Sequence, residues 1–383
     1  MLKTQMNPLF SLPLHGICCT PSPTHSSAEF CMEVALNFCS IKLDPQLTPI
    51  WALKDEGQRY LSEVTLYKEA AQSNNKSNNK SKTNNKNNNQ QPSPSYFLKI
   101  NCQGNGIFKI NTDTLARTKA RADATTNTDN ISIDWQENGT DSAHYFQTLT
   151  AALYLELNKV LCIHANALAY NDQAIAFVAP SRTGKTTLTA ALSQQGFALM
   201  TDDMIALHHN AEKNEYTIYP SWPVARMWPD TLAELVDNNS TNSTSSIKSE
   251  QCEKVHQNFA KRIVPLKSNS DITFDFCDQA KKLKVIYLLN REQNEQNEQN
   301  ENKINNQQPY CFISTIPAAA AVIILLKNSI LGSAYGALGL EHERVIALAK
   351  LVNTIQFKQI SYSSGKNNLL NVCEKIKQDL QTS

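Results

Sequence analysis

The chain lacks any Cys-x-x-Cys pair; its ten cysteines are scattered at Cys18, Cys19, Cys31, Cys39, Cys102, Cys162, Cys252, Cys277, Cys311 and Cys373. That scatter supplies neither the paired ligands of a zinc site nor a disulfide framework, and it predicts buried, reduced thiols in a cytosolic protein. A charge imbalance is missing too. The 36 Lys and Arg against 35 Asp and Glu leave a formal net charge of +1. No field over the whole molecule therefore draws nucleic acid or an anionic membrane, and neither is expected as a partner. Long apolar runs are absent as well: the longest, Pro317 to Leu326, stops at Lys327. It is too short to span a bilayer and predicts a buried helix. Near the start, Leu9 to Leu14 is apolar, but Pro8 and Pro13 interrupt it, Lys3 is its only basic flank, and no small-residue cleavage site precedes Cys18. Export is not expected, and a cytoplasmic location is.

What is there divides unevenly. A length of 383 residues suffices for one large core or two smaller ones. Three tracts rich in Asn, Ser, Gln, Lys and Glu, at Ser73 to Ser95, Asn238 to Ser249 and Arg291 to Gln308, cannot bury enough apolar area to offset the entropy of ordering. They read as solvated, disordered insertions; the repeated Glu-Gln-Asn of the third offers no apolar seam for a coiled coil. Setting them aside leaves a smaller accessory part, Met1 to Tyr145, and a more regular part, Phe146 to Ser383. In the first, Val34 to Leu43, Ile50 to Leu53, Tyr96 to Cys102 and Gly106 to Ile110 predict strands of a mixed or β-rich domain. In the second, Phe146 to Leu157 has helical spacing and Val160 to Ala169 predicts a strand carrying His164. Gln173 to Val178 predicts another strand, followed by a Gly-containing turn, a helix from Lys185 to Gln194 released at Gly196, and a short strand Phe197 to Met200 ending at Thr201-Asp202-Asp203. Strand, loop, helix and strand in this order form the phosphate-binding unit of an α/β fold.

Ala179-Pro180-Ser181-Arg182-Thr183-Gly184-Lys185-Thr186 matches the P-loop pattern everywhere but at its first position, where Ala replaces Gly; Thr187 follows. A loop of this length turns its backbone N–H groups around an anion while the helix start adds partial positive charge. Gly184 permits close backbone approach, Lys185 reaches the β- and γ-phosphates, and the Thr186 hydroxyl is placed for magnesium. Gly-Lys-Thr also occurs in loops by chance; the strand before and the helix after favour the phosphate reading.

Asp202 and Asp203 end the next strand, where loops converge on the carboxyl edge of a parallel sheet. Such a pair can divide the labour of phosphoryl transfer, one holding magnesium and the other accepting the proton of an attacking hydroxyl, although an Asp pair after a strand also suits a turn or a helix cap. His164, among Cys162, Ile163 and Ala165, suits a satisfied core position equally well as one beside the phosphates or the acidic pair.

In these residues the chain resembles the HPr kinase/phosphorylase C-terminal domain and the HPr kinase-related serine kinases. Val160-Leu161-Cys162-Ile163-His164-Ala165 is similar to the family's His-bearing strand, Ala179 to Thr187 to its P-loop, and Leu199-Met200-Thr201-Asp202-Asp203 to its strand ending in an Asp pair. The short interval from Lys185 to Asp202 is distinctive, and Tyr219 to Asp230 resembles the Tyr-Pro, Arg and Trp-Pro-Asp segment of the related branch. The resemblance implies ATP- and magnesium-dependent phosphorylation of a hydroxyl: Lys185 and the loop Ala179 to Thr187 hold ATP, Thr186 binds magnesium with Asp203 as a further metal candidate, and Asp202 is the general base, supported by Asp203 and His164; Asp202, His164 and Lys185 are the catalytic candidates. The family also runs the reverse phosphorolysis, in which Asp202 would act as acid. The chain departs from it at Ala179, at Ala165 where the parent has Gly, and in having no recognisable later loop for gripping HPr. The acceptor therefore stays open among protein, peptide and small metabolite, as does a homo-oligomeric state. Arg226 and Arg262 are candidates for a cation on the transferred phosphoryl group, with an ion pair or a solvated side chain as the bland alternative for each.

The expectation is thus a P-loop domain of HPr kinase/PEP carboxykinase-like type acting as an ATP-dependent kinase. The alternative is a nucleotide-binding regulatory or scaffold protein without transfer. A hydrolase motor ranks last, because it would usually need a distant second acidic motif and a water-positioning residue that are not identifiable.

Overall fold

The computed structural model describes residues 14–15, 17–20, 32–54, 63–70, 94–102, 104–111, 129–136, 142–180, 183–227, 229, 254–256, 259–265, 275–292 and 310–382. The chain divides into two compact units, Met1–Asn158 and Lys159–Ser383. The fold is mixed α/β.

The first unit is built on a seven-stranded sheet of β1 (Ile17–Thr20), β2 (Met32–Phe38), β3 (Pro49–Lys54), β4 (Glu63–Glu69), β5 (Ser95–Cys102), β6 (Gly104–Asn111) and β7 (Asp129–Trp135), in the order β1-β2-β7-β6-β5-β4-β3. The strand expected over Val34 to Leu43 ends at Phe38, and β1, β4 and β7 lie outside the runs expected from the sequence. In β7 the signal is legible in hindsight, since buried Ile131 and Ile133 alternate with more exposed Ser132 and Asp134. A helical segment closes the unit: α1 (Ser142–Tyr145), a π turn over Phe146–Thr150, and α2 (Ala151–Leu157). The helix expected from Phe146 therefore begins with a π turn.

The second unit carries β8 (Leu161–Ile163), β9 (Ala165–Tyr170), β10 (Gln173–Val178), α3 (Lys185–Ser193), β11 (Ala198–Thr201), β12 (Ile205–Asn210) and β13 (Glu215–Ile218). These are followed by β14 (Val224–Met227), β15 (Lys254–His256), β16 (Phe259–Pro265), β17 (Lys281–Glu292), β18 (Cys311–Thr315) and α4 (Ala318–Lys327). The unit ends with α5 (Tyr335–Leu338), α6 (Glu341–Thr354), β19 (Gln356–Ser363) and α7 (Lys366–Thr382). A nine-stranded sheet runs β11-β9-β10-β17-β13-β12-β8, with β19 on β17 and β18 on β19; β14, β16 and β15 form a separate three-stranded sheet. The strand expected over Val160 to Ala169 is in fact two, broken at His164. β8 pairs with β12 while β9 pairs with β10 and β11, so one residue separates strands from opposite ends of the sheet path and the sheet curls round on itself. At the break the His164 N–H donates to the Asn328 carbonyl at 2.7 Å, a long-range bond that local periodicity does not encode.

The strand alternation of β10 builds two cores. Ile175, Phe177 and Ala179 face one side with Leu188 and Leu192 of α3 and Val372, Cys373, Ile376 and Leu380 of α7. Ala174, Ala176 and Val178 face the other with Ala321 and Leu325 of α4 and Leu348 and Leu351 of α6. A strand covered on both faces reads as continuously apolar, which is why Gln173 to Val178 was legible. Each large side chain buried there contributes about 1.5–3 kcal/mol. The buried helix expected over Pro317 to Leu326 is corrected: α4 lies on the outside of the sheet and buries Ala321 and Leu325, while Ile323 is 56% exposed. Of the polar tracts, 73–93, 238–249 and 293–308 lie outside the described residues; Ser95 opens β5, and Arg291 and Glu292 belong to the end of β17.

Candidate active site

β10 delivers the chain into the loop and α3 receives it. The turn requires Gly184, whose φ of +99° is left-handed and sits at the N-cap of α3, a conformation that L side chains adopt only with strain. Ala179, the residue that departs from the pattern, is fully buried in the core with Phe177 and Leu188, so its methyl is accommodated rather than obstructive. Pro180 accepts from Thr183 N–H at 3.4 Å. Ser181 and Arg182 lie outside the described residues. Thr186 and Thr187 occupy the first turn of α3, both partly exposed. Further along the same helix the Thr189 hydroxyl donates to the Thr186 carbonyl at 3.0 Å.

Lys185 is 7% exposed, and a buried ammonium needs acceptors. Its Nζ donates to the Ala179 carbonyl at 2.7 Å and lies 3.2 Å from His164 Nε2. On the other side of the ring, Nδ1 lies 2.8 Å from the Asp203 carbonyl oxygen. An ammonium only donates and a carbonyl only accepts, so the two contacts together require His164 neutral with the proton on Nδ1. His164 thereby links the loop lysine to the backbone of the acidic turn.

The acidic pair is held from several sides. Asp203 has a left-handed φ of +66°, and its N–H donates to Asn166 Oδ1 at 3.2 Å. Asn166 Nδ2 in turn donates to Thr189 Oγ1 at 3.4 Å, so this buried amide ties the acidic turn to α3. Asp202, 3% exposed, accepts the Arg226 backbone N–H on Oδ2 at 2.7 Å. The Arg226 guanidinium, 4% exposed, lies 3.8 Å from the Asp203 carboxylate, which is 20% exposed. Arg226 is thus an ion-pair partner of Asp203. The segment around it is anchored by the Ser221 N–H, which donates to the Met200 carbonyl at 2.9 Å, and by fully buried Trp222. Arg262 sits opposite Met227 in the β14–β16 pair.

Two residues of this region were not singled out from the sequence. Asn166 was legible as an amide within an otherwise apolar strand. Arg291 was hidden because it opens the polar run. Its Nη1 lies 3.5 Å from where a Cβ on Gly184 would stand. Among the described residues no group of three or more His, Cys, Asp or Glu side chains is arranged to hold a metal ion, and no described helix is long and apolar enough to cross a membrane.

No family model matches the chain, and no curated protein does. Among solved structures, the Hpr(Ser) kinase/phosphatase from Coxiella burnetii is similar at 12% identity over 58% of this chain and 97% of that one, with a TM-score of 0.28.

Proposed function

We propose that the chain is an ATP- and magnesium-dependent phosphotransferase that moves a phosphoryl group to a hydroxyl of a protein, peptide or small molecule. The observation that carries this reading is the Lys185–His164–Asp203 connection, which joins a buried loop lysine at the start of α3 to the acidic turn that follows β11. In this reading, residues 179–187 hold the phosphates, and Lys185 leaves the Ala179 carbonyl to pair with them. Asp202, fixed by the Arg226 N–H, accepts the acceptor's proton as the bond from its oxygen to phosphorus forms and ADP departs. His164 and Asn166 position the acidic turn relative to α3. Magnesium, held by the Thr186 hydroxyl and the Asp203 carboxylate, would neutralise charge on the phosphate oxygens.

One observation favours a second reading. The Arg226 guanidinium 3.8 Å from Asp203 already supplies a cation where magnesium would bind, as suits a regulatory protein that holds nucleotide without transfer. Calorimetry with magnesium and ATP on the wild type and Lys185→Ala tests the nucleotide site: binding by the wild type and its loss in the variant is expected, and no binding by the wild type would overturn the reading. Transfer separates the two. Asp202→Asn is expected to keep nucleotide while losing about 10²–10⁴-fold in rate, whereas a binding protein forms no product with either protein.

A further inference from the structure

β17 runs parallel to β10, and their pairing ends at Val178 opposite Leu288. Where β10 turns away into the loop, β17 continues for four more residues through Glu292, now beside β19. Period-two alternation fixes where these last residues point. Val285, Tyr287 and Leu289 belong to the core shared with α3, and the next position on that face is Arg291. The face that is apolar along the body of the strand therefore ends in a guanidinium at the level of the loop, and Gly184 is where it arrives: Nη1 stands 3.5 Å from a Cβ built there. Across β19 the register partner of Arg291 is buried Tyr362. Burial pushes the Tyr362 hydroxyl up to about 12, with the Arg291 charge opposing that rise. Arg291 Nε is buried and has no hydrogen-bond partner among the described residues. A guanidinium half-sunk against a glycine at the head of a nine-residue helix, with its fork still able to donate, is a device for gripping phosphate oxygens bidentately.

We infer that Arg291 is a phosphate-contacting residue of the nucleotide site, supplying from the end of β17 the second cation beside Lys185. The inference rests on the nucleotide reading of the loop. It moves the cationic role from Arg226, which is paired with Asp203, to a residue at the end of β17. A Cβ at position 184 would stand in ordinary contact with the guanidinium, so Arg291 lies directly against the turn that begins α3.

The test is calorimetry of the full chain with magnesium and ATP, ADP or AMP, at two salt concentrations, on the wild type, Lys185→Ala, Arg291→Gln and Arg291→Lys. Circular dichroism and thermal melting serve as the folding control. Loss of a charge-assisted contact predicts ATP affinity weakened on the order of ten- to a hundredfold in Arg291→Gln. A smaller loss is expected for ADP, the least for AMP, and a shallower salt dependence should accompany them, with partial recovery in Arg291→Lys. Equal losses for all three nucleotides with an unchanged salt dependence would assign Arg291 to loop support and overturn the inference. Wild-type affinity in a folded Arg291→Gln would overturn it while leaving the nucleotide site standing, provided Lys185→Ala has lost binding. No binding by the wild type would remove the nucleotide reading and this inference with it.

Discussion

An imidazole placed between an ammonium and a carbonyl has one proton arrangement that satisfies both neighbours, and His164 is in that position. Protonating it would set two cations 3.2 Å apart at Lys185 in a largely dry setting, so the neutral ring belongs to the folded site. Replacing it should be felt in stability as well as in activity. His164→Leu removes both hydrogen-bonding atoms and leaves the Asp203 carbonyl and the Lys185 ammonium short of a partner, a loss of about 1–3 kcal/mol. His164→Gln keeps a donor and an acceptor on a side chain of similar reach and should recover part of it. Urea denaturation of both variants checks this; equal stability of His164→Leu and the wild type would show that the two contacts contribute nothing net. The acidic pair follows a parallel logic. Asp202 is tied down by a backbone N–H, and Asp203 is presented on a left-handed turn, so two adjacent carboxylates experience different surroundings.

At the scale of elements the unit is β10, the loop and α3, and two of its glycines take the left-handed backbone that a side chain would strain. Gly184 has φ +99° and Gly196, which releases the chain after α3, has φ +87°. Adding a methyl to either costs about 1–2 kcal/mol of left-handed strain. At Gly196 a Cβ would meet nothing within 4 Å, and at Gly184 it would meet Arg291 at ordinary contact distance. Gly196→Ala should therefore lower stability without touching nucleotide affinity, while Gly184→Ala should lower both. Thermal melting paired with calorimetry reads the difference, and a loss of affinity in Gly196→Ala would break the argument. This unit was legible in the sequence because its determinants are local: an apolar run covered on both faces, a left-handed glycine, and a helix with apolar spacing. The break at His164 was not, because it depends on strand partners distant in the chain and on the Asn328 carbonyl. Arg291 was lost for a related reason. Composition averages over a window, and the Glu-Gln-Asn run beyond it diluted the last two residues of β17. Asn166 stood in plain view, but the amide's two partners, Asp203 and Thr189, become neighbours only once the sheet is assembled.

For the whole molecule, the second unit carries buried tyrosines whose hydroxyls resist ionisation. Burial pushes Tyr216 and Tyr362 from the ordinary 10.0 up to about 12. Burial and the hydrogen bond to the Asp379 carboxylate raise Tyr287 as well. The folded state then holds these protons more tightly than the unfolded chain, so the stability linked to them is complete below pH 10 and is lost as pH climbs from about 10 toward 12. Each such hydroxyl removes about 1.4 kcal/mol per pH unit within that window. The urea midpoint should accordingly hold near pH 9 and fall steeply by pH 11. Lysines titrate close by, so the diagnostic is Tyr287→Phe, which keeps the ring stacked on Phe177 and deletes the ionisable group. Its midpoint should start lower, because Asp379 loses a donor while keeping its bonds to Lys358, and should then fall less steeply with pH than that of the wild type. Parallel curves for the two proteins would mean that the hydroxyl, though buried, is not coupled to unfolding.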